Sequence, residues 1–261
     1  MSWSPGILRL RTPATLIIAA AVASSCAWPK GRLRIPGDLE PYALVMPVKG
    51  RAALFDPGIH FQNYRTKDLK RSFTVHDYSP PSLLTGPRYT YEGKQSFSFK
   101  LAWSDQADDS SKDIAEWSVT CLNRAWEVEE YKRTWRLRPN GLSSGLVPKG
   151  ERVHQAIFSC TLSHRAFGSR SLHMTSEENS SFEGWLTGGA SPIAVRPTDD
   201  SIDEPFGNTM AGYLFSTEGS IMGAADTLHF GRVIIDSRLP HSERHLLAAA
   251  SAALLLSPDI R

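Results

Sequence analysis

Residues 88–103 read RYTYEGKQSFSFKLAW, and the alternation of apolar and polar residues in this stretch decides the fold class. From Phe97 to Trp103, large apolar residues recur at every second position, which places them on one face of a β-strand. The preceding Glu92-Gly93-Lys94 has the composition of a turn. The stretch therefore predicts a β-hairpin with one buried face.

The same two-residue period surrounds two cysteines, Cys121 and Cys160. Cys121 follows Trp117 at this period, and Cys160 follows Phe158, so each cysteine lies on the apolar face of its strand. We expect a disulfide that joins two layers of sheet across a core. Two buried free thiols are the alternative.

The C-terminal segment contains the strongest helix pattern. Residues 246–256 read LLAAASAALLL, with Ser251 as the single polar residue. Ser242 is a candidate N-cap and Pro258 a stop signal, so we predict a helix over 242–256. The apolar run is about 16 Å long at 1.5 Å per residue, too short to cross a bilayer. Because it is apolar on every side, we expect the sheet to enclose it.

These patterns predict a mainly β (α+β) fold, either an antiparallel sandwich or a closed barrel, with a buried C-terminal helix. Before this helix, strand-like runs at Gly212–Phe215, Ile221–Gly223 and Gly231–Asp236 are separated by glycine-containing turns. This succession resembles the end of the tubby C-terminal-like group, which includes the LURP-one-related and scramblase-related proteins. The resemblance covers about the last 50 residues and implies a closed barrel wrapped around the helix. No lipid-binding or calcium-binding residue carries over with it.

The N-terminus has the composition of an export signal. Arg9 and Arg11 precede an apolar run, Ala14–Ala23, so we interpret residues 1–25 as a signal peptide. Ala23-Ser24-Ser25-Cys26 resembles a bacterial lipobox, which implies that Cys26 is diacylated and becomes the N-terminus. We expect a membrane-anchored lipoprotein of the periplasm. An ordinary signal peptide and simple secretion are the alternative.

After Cys26, the composition divides the chain into a linker and a folded part. Residues 26–41 are rich in Pro, Gly and Arg and are predicted to form a tether, followed by a single domain over 42–261. Residues 104–113 and 176–208 have the composition of long loops. The stretch Trp126–Arg138 mixes aromatic and basic residues, and we interpret it as a solvated strand face rather than a site for single-stranded nucleic acid.

The overall charge favours no polyanionic partner. The chain has 29 basic and 27 acidic residues, a formal net charge of +2. Without the signal peptide, and hence without Arg9 and Arg11, the two signs balance. We therefore expect no nucleic acid as a partner.

One motif matches the letters of a serine hydrolase. Gly141-Leu142-Ser143-Ser144-Gly145 fits G-x-S-x-G, the nucleophile elbow, which requires a buried strand before the serine and a helix directly after it. Pro139 and Pro148 fit neither neighbour, so we interpret the stretch as a loop at the tip of a hairpin. A hydrolase using Ser143 with His154 or His164 remains an alternative function.

Candidate metal ligands fall into two classes. His241 and His245 are four residues apart at the start of the predicted helix, a spacing that allows two ligands on one side but lacks a third. The acidic residues lie in two loops that lack the order of a calcium-binding EF-hand. They are Asp105, Asp108, Asp109 and Asp113 in one loop, and Asp199, Asp200, Asp203 and Glu204 in the other. We expect no metal and no cofactor.

These observations favour a non-enzymatic binding protein. Aromatic strands and polar loops, carried on a lipid tether, suit recognition of a protein partner in the envelope. An immunity-type lipoprotein that inhibits a toxin is one form of this hypothesis. The alternatives are the serine hydrolase and a lipid-binding barrel.

Overall fold

The computed structural model describes residues 31–51, 58–80, 88–104, 116–138, 141–177, 182–202 and 210–257. Cys26, the predicted signal peptide, and the acidic residues Asp105, Asp108, Asp109, Asp113, Asp203 and Glu204 lie outside this part of the chain. Across the described residues the fold is mainly β, with one α-helix at the C-terminal end.

The strands are mostly short, except for three long neighbours in the middle of the chain. They are β1 Arg32–Leu33, β2 Ala43–Pro47, β3 His60–Phe61, β4 Tyr64–Arg71, β5 Val75–Ser79, β6 Arg88–Trp103, β7 Glu116–Arg138, β8 Gly141–His164, β9 Gly168–Glu177, β10 Glu183–Thr187, β11 Ile193–Thr198, β12 Ser201–Ile202, β13 Gly212–Thr217, β14 Ser220–Asp226 and β15 Arg232–Asp236. A short 3-10 turn, Glu40–Tyr42, precedes β2, and the helix α1 spans His241–Leu256.

Twelve of the strands form one antiparallel sheet that curls into a nearly closed barrel. Their order is β2-β15-β14-β13-β11-β10-β9-β8-β7-β6-β4-β3, and β5 adds to the outer part of β6. The two ends of this path meet where Lys49, two residues after the end of β2, exchanges backbone hydrogen bonds of 2.9 and 3.0 Å with His60 of β3. The prediction of a mainly β fold is confirmed in its barrel form.

The helix α1 packs against the barrel wall from within. Every residue from His245 to Leu256 is buried, and α1 contacts β7, β8, β14 and β15. The burial expected from its apolar sequence is therefore confirmed. No helix in the described part of the chain is long and apolar enough to span a bilayer.

The helix begins one residue earlier than predicted, and Ser242 is not its cap. Pro240 occupies the N-cap position, where its carbonyl accepts hydrogen bonds from the N–H groups of Glu243 and Arg244. Proline fits this position because its own missing N–H has no partner to lose there. Ser242 lies inside the first turn instead.

The disulfide between Cys121 and Cys160 is present, but it does not bridge two layers. The two residues face each other on the neighbouring strands β7 and β8, with Cα atoms 4.0 Å apart. Such close Cα approach belongs to directly opposed residues of an antiparallel pair. Alternation showed correctly that both cysteines face the core. It could not show which strands are neighbours.

The hairpin expected at Glu92–Lys94 is wrong, because β6 is one continuous strand. Gly93 lies in its interior, opposite His76 of β5 and Ala125 of β7. The predicted loop over 176–208 is also wrong in part, since β10, β11 and β12 lie within it. Glycine, serine and proline dilute the apolar pattern of these strands, and cross-strand pairing overrides that local signal.

The described part of the predicted tether is bound to the barrel. Leu33 and Leu39 are buried on the outer face of the sheet, against Ala224 and Ile234. Residues 31–41 are therefore part of the domain and not a free linker. Their Pro, Gly and Arg content suggested a linker, but these two leucines supply enough apolar area to hold the segment on the sheet.

A buried ion pair fixes this segment. The Asp226 carboxylate accepts hydrogen bonds from the Leu33 N–H at 3.2 Å and from Arg232 Nε at 2.8 Å. Arg232 Nη2 donates to the Leu33 carbonyl at 2.7 Å. The pair thus satisfies both backbone polar groups of Leu33, and we name these three residues the strand clamp.

The barrel has two different ends. At the mouth end, where α1 begins, the sheet ends in tight turns such as Glu218-Gly219 between β13 and β14. At the opposite end, β7 and β8 continue together past the last residues that pair with β6 and β9. We name this end the hairpin end.

Candidate functional site at the barrel mouth

A cavity of about 930 Å³ opens at the mouth end of the barrel. Its walls come from the turns that connect β8 to β9, β10 to β11 and β13 to β14, and from the first turn of α1. Because turns from separate parts of the chain meet here, the cavity can combine side chains that no continuous motif contains.

The floor of the cavity is apolar. Trp117, Ile193, Met222 and Leu246 line it and are buried, each less than 9% exposed. Phe167 adds a half-buried ring from the turn between β8 and β9. This floor is the mouth-facing surface of the main core, so it is held rigidly by the barrel.

The rim carries an excess of negative charge. Asp236 and Arg238 pair with each other at 2.6 Å, and this contact lowers the pKa of the Asp236 carboxyl. The other charged residues of the rim are one base, Arg170, and three acids, Asp38, Glu218 and Glu243. In the described part of the chain, none of these three carboxylates lies in an ion pair.

Arg238 is held as part of the rim rather than left free. Its guanidinium carbon lies 3.6 Å from the centre of the Tyr42 ring, and its backbone N–H donates to Asp236. The neighbouring carboxylate raises the pKa of Arg238. The charges of Asp236 and Arg238 cancel, so the other carboxylates make the net charge of the rim negative.

Trp117 contributes an unused hydrogen-bond donor. The residue is fully buried and lines the cavity, and its indole Nε1–H has no acceptor among the described residues. A buried donor without an acceptor costs about 1 to 3 kcal/mol. A carbonyl of a bound molecule could recover this loss.

No family model, curated protein or solved structure matches this chain.

A stack of aromatic and histidine rings supports the cavity from below. His245 of α1 lies over Trp103 with ring centres 3.9 Å apart, and His164 lies 5.4 Å from Trp103. Phe167 continues the stack at 4.4 Å from His164. The stack couples the first turn of α1 to the turn between β8 and β9, so the two walls of the cavity are held together.

His164 also shapes that turn through hydrogen bonds. Its Nδ1 accepts the backbone N–H groups of Ala166 and Phe167 at 3.1 and 3.2 Å. Burial lowers the pKa of His164, which favours the neutral ring that these bonds require. The imidazole therefore acts as a neutral acceptor under a cavity wall.

The two histidines considered as metal ligands have different environments. His241 is exposed, whereas His245 is buried, with its Nδ1 2.8 Å from the Tyr64 hydroxyl. Among the described residues, no three His, Cys, Asp or Glu side chains are grouped so that they could hold a metal ion. Helix α1 carries His245 into the core, whereas His241 stays at the surface.

The structure does not bring the candidate hydrolase residues together. Ser143 lies within β8, opposite Arg136 of β7, so the expected loop at this position is wrong. His154 and His164 lie farther along the same strand, and at about 3.3 Å per residue they are tens of ångströms from Ser143. A serine and a histidine at this separation cannot form a nucleophile and base pair.

Sequence reasoning missed the residues of the mouth. Asp38, Arg170, Glu218 and Glu243 come from four separate segments and belong to no motif. Only Glu218 carried a signal, since Glu218-Gly219 indicates a tight turn, and the structure confirms a two-residue turn there with positive φ at both positions. The joint position of all four follows from long-range strand pairing and from the curl of the sheet between β2 and β9, which no local pattern reveals.

Proposed function

We propose that this protein is an envelope lipoprotein, anchored through Cys26, that binds a protein partner at the barrel mouth. The mouth cavity carries this proposal. It has an apolar floor, an acidic rim and a buried indole donor, which together suit a polypeptide segment. The proposed role is binding without catalysis.

The chemistry of the cavity defines the segment that would fit. An apolar side chain would cover Met222 and Leu246, and a nearby Lys or Arg would approach Glu218 and Glu243. A backbone carbonyl would accept the free N–H of Trp117. We therefore expect a loop of the partner in which a basic residue stands beside an aliphatic or aromatic one.

The interior of the barrel supports binding at the mouth over binding inside. Helix α1 fills the interior with buried leucines and alanines from Leu246 to Leu256. An acyl chain held within the barrel would have to displace this helix. An immunity-type inhibitor that captures a basic loop of a toxin is one specific form of the proposed function.

Photo-crosslinking in cells tests the proposal. A benzoylphenylalanine at Ser191, an exposed residue of the cavity wall, should give a discrete protein adduct. The same probe at Thr161, exposed on the outer face of β8, serves as the positional control and should give none. Equal adducts from both positions, or none from Ser191, would contradict binding at the mouth.

Charge variants identify whether the adduct depends on the rim. Glu218→Gln with Glu243→Gln should weaken the Ser191 adduct, because the basic residue of the partner loses its counter-charges. Glu183→Gln with Asp199→Asn removes two exposed carboxylates elsewhere and is the matched control. Equal adducts in both pairs would mean that the rim charge plays no part in recognition.

The anchor is tested separately. Wild-type protein should appear in the membrane fraction, and its N-terminal peptide should carry the mass of a diacylglyceryl group on Cys26. A Cys26→Ala variant should lose this modification. An unmodified N-terminal peptide in wild-type protein would instead favour simple secretion.

We also infer that the resemblance to the tubby C-terminal-like group, over about the last 50 residues, reflects a shared arrangement of strands around the final helix. The antiparallel barrel order and the enclosed final helix support this inference. An experimental structure in which α1 lay outside the sheet would contradict it.

A further inference from the structure

The strands β7 and β8 form a hairpin that stands apart from the barrel. From Tyr131 to Arg138, β7 pairs only with Gly141–Pro148 of β8 in the described part of the chain. The ribbon is roughly 25 Å long at 3.4 Å per residue. We name these residues, 131–138 with 141–148, the distal hairpin.

The pairing register divides the distal hairpin into two unlike faces. Trp135 pairs with Ser144 and Leu137 with Leu142, and alternate residues of each strand fall on the same face. One face therefore takes its residues from Tyr131, Arg133, Trp135, Leu137, Leu142, Ser144, Leu146 and Pro148. The opposite face takes Lys132, Thr134, Arg136, Arg138, Gly141, Ser143, Gly145 and Val147. The first face is mainly apolar and the second is basic.

The distal hairpin also has charges of one sign only. Between residues 131 and 148 there are four basic residues and no acidic one. The whole chain is close to neutral, with 29 basic and 27 acidic residues. The distal hairpin therefore carries a local excess of positive charge.

The N-terminal segment enters the barrel at the same end. Leu33 is held by Asp226, the last residue of β14, beside the turn that leads to Gly231. A Cβ atom on Gly231 would lie 2.7 Å from Leu255, which places this turn at the C-terminal end of α1. β7 starts at the mouth with Trp117 and so leaves the barrel at the opposite end, which is also the end at which Leu33 lies.

The hairpin end also exposes large apolar side chains. Phe73, in the connection between β4 and β5, is 93% exposed, and Phe230, in the turn between β14 and β15, is 50% exposed. Five residues separate Cys26 from Leu33's neighbour Arg32, a span of about 20 Å when fully extended. A lipid on Cys26 would therefore hold this end of the barrel close to a bilayer.

We propose that the distal hairpin is a membrane-contact element that lies on bilayers containing anionic phospholipids. Its apolar face enters the headgroup region, and its basic residues approach the lipid phosphates. The Trp135 ring suits this depth, because aromatic rings concentrate at the boundary between headgroups and acyl chains. This contact directs the mouth away from the membrane. It adds to the proposed anchoring but does not depend on acylation.

Vesicle sedimentation tests the contact without the lipid anchor. The full chain with Cys26→Ser should co-sediment with vesicles of phosphatidylcholine and phosphatidylglycerol, and much less with phosphatidylcholine alone. Replacing Lys132, Arg133, Arg136 and Arg138 with Gln should weaken binding to the anionic vesicles at least about tenfold. Trp135→Ser should also weaken it. Binding should fall in 0.5 M salt, which screens the basic face.

A matched variant removes four basic residues elsewhere. Arg65, Lys67, Lys70 and Arg196 are exposed on the barrel, and their replacement by Gln changes the net charge equally. This control should bind the vesicles as the parent does. All variants share residues 1–30, so any binding by that segment is the same in each of them. Thermal melts should be alike for every variant. Equal losses in both quadruple variants, or equal binding to neutral vesicles, would overturn the proposal.

Two further results separate this inference from its rivals. Tighter binding to an oligothymidylate than to anionic vesicles would assign the hairpin to nucleic acid and would also overturn it. Because the test protein lacks Cys26, its failure leaves acylation of the wild-type chain unaffected. An unmodified wild-type N-terminus would contradict the anchor while leaving the vesicle result in place.

Discussion

A single nitrogen atom, His164 Nδ1, holds the turn between β8 and β9. It accepts two backbone N–H groups, and the ring is stacked between Trp103 and Phe167. Protonation of Nδ1 would remove both hydrogen bonds at once. Since the turn carries Phe167 into the mouth cavity, the protonation state of this residue controls one wall of the site.

We expect His164 to make the protein less stable in mild acid. Burial lowers its pKa in the folded state, so as the pH falls through about 6.5 the unfolded chain takes up this proton first. Stability is therefore lost as the pH decreases. The melting temperature of wild-type protein should drop more between pH 7 and pH 5 than that of His164→Gln.

The exposed residue His173 provides the control for this comparison. A His173→Gln variant should keep the full acid-dependent drop of wild-type protein. Identical drops in wild-type protein and His164→Gln would show that another group causes the acid sensitivity.

The strand clamp gives a second prediction at the residue scale. Asp226→Asn leaves Arg232, whose side chain is 20% exposed, without its counter-charge and should lower the free energy of unfolding by about 3 kcal/mol. Chemical denaturation measures this loss. The pair Arg34–Asp200 is about 60% exposed on both sides, so Asp200→Asn should cost about 0.5 kcal/mol or less. Similar losses in both variants would contradict the clamp.

Among the elements, helix α1 contains a polar residue, Ser251, in an apolar environment. Ser251 is fully buried, and its hydroxyl has no hydrogen-bond partner in the described structure. Ser251→Ala should therefore raise the free energy of unfolding by up to about 1 kcal/mol, since it removes an unsatisfied polar group and improves helix propensity.

The neighbouring Ala252 allows the reverse test. It is also fully buried, so Ala252→Ser should destabilise the protein by about 1 kcal/mol. Denaturation of both variants gives the two values. A stability loss for Ser251→Ala would indicate that its hydroxyl makes a favourable contact.

The elements also show where sequence reasoning succeeds. Strict alternation located the apolar faces around Phe97, Cys121 and Cys160, because one face of each strand is buried. An apolar run interrupted only by Ser251 located α1 to within one residue. Gly93 shows the limit of local patterns, since a turn composition gives way to pairing on both sides of β6.

The residues of the mouth cavity could not be predicted from local sequence patterns in the same way. Glu243 and Asp38 are about 200 residues apart in the chain and line one cavity because β2 pairs with β15. No short-range spacing encodes such a meeting. Of the hydrolase residues that sequence patterns did propose, Ser143 and His154 lie far from the cavity, whereas His164 packs against Phe167 of the cavity wall.

For the whole molecule, closure of the barrel depends on very few contacts. Most strands pair along their length with a neighbour in sequence, whereas β2 and β3 meet only through Lys49 and His60 in the described part. A junction of two hydrogen bonds is the weakest line in the sheet. The barrel should open there first.

Hydrogen exchange measures this opening. The amides of Lys49 and His60 should exchange at least about tenfold faster than that of Val119, which lies in the middle of β7 between β6 and β8. Equal protection at the three amides would mean that the barrel opens as one cooperative unit.

The position of α1 after β15 also determines the order in which the parts of the barrel can fold. Neighbouring strands can pair as the chain emerges, but the residues they must be packed against, Leu246 to Leu256, come after all fifteen described strands. Before this helix is in place, the apolar inner face of the sheet has no helix to pack against and is exposed to water. For the export proposed above, the chain would therefore cross the membrane before its core could form, in the loose state that transport requires.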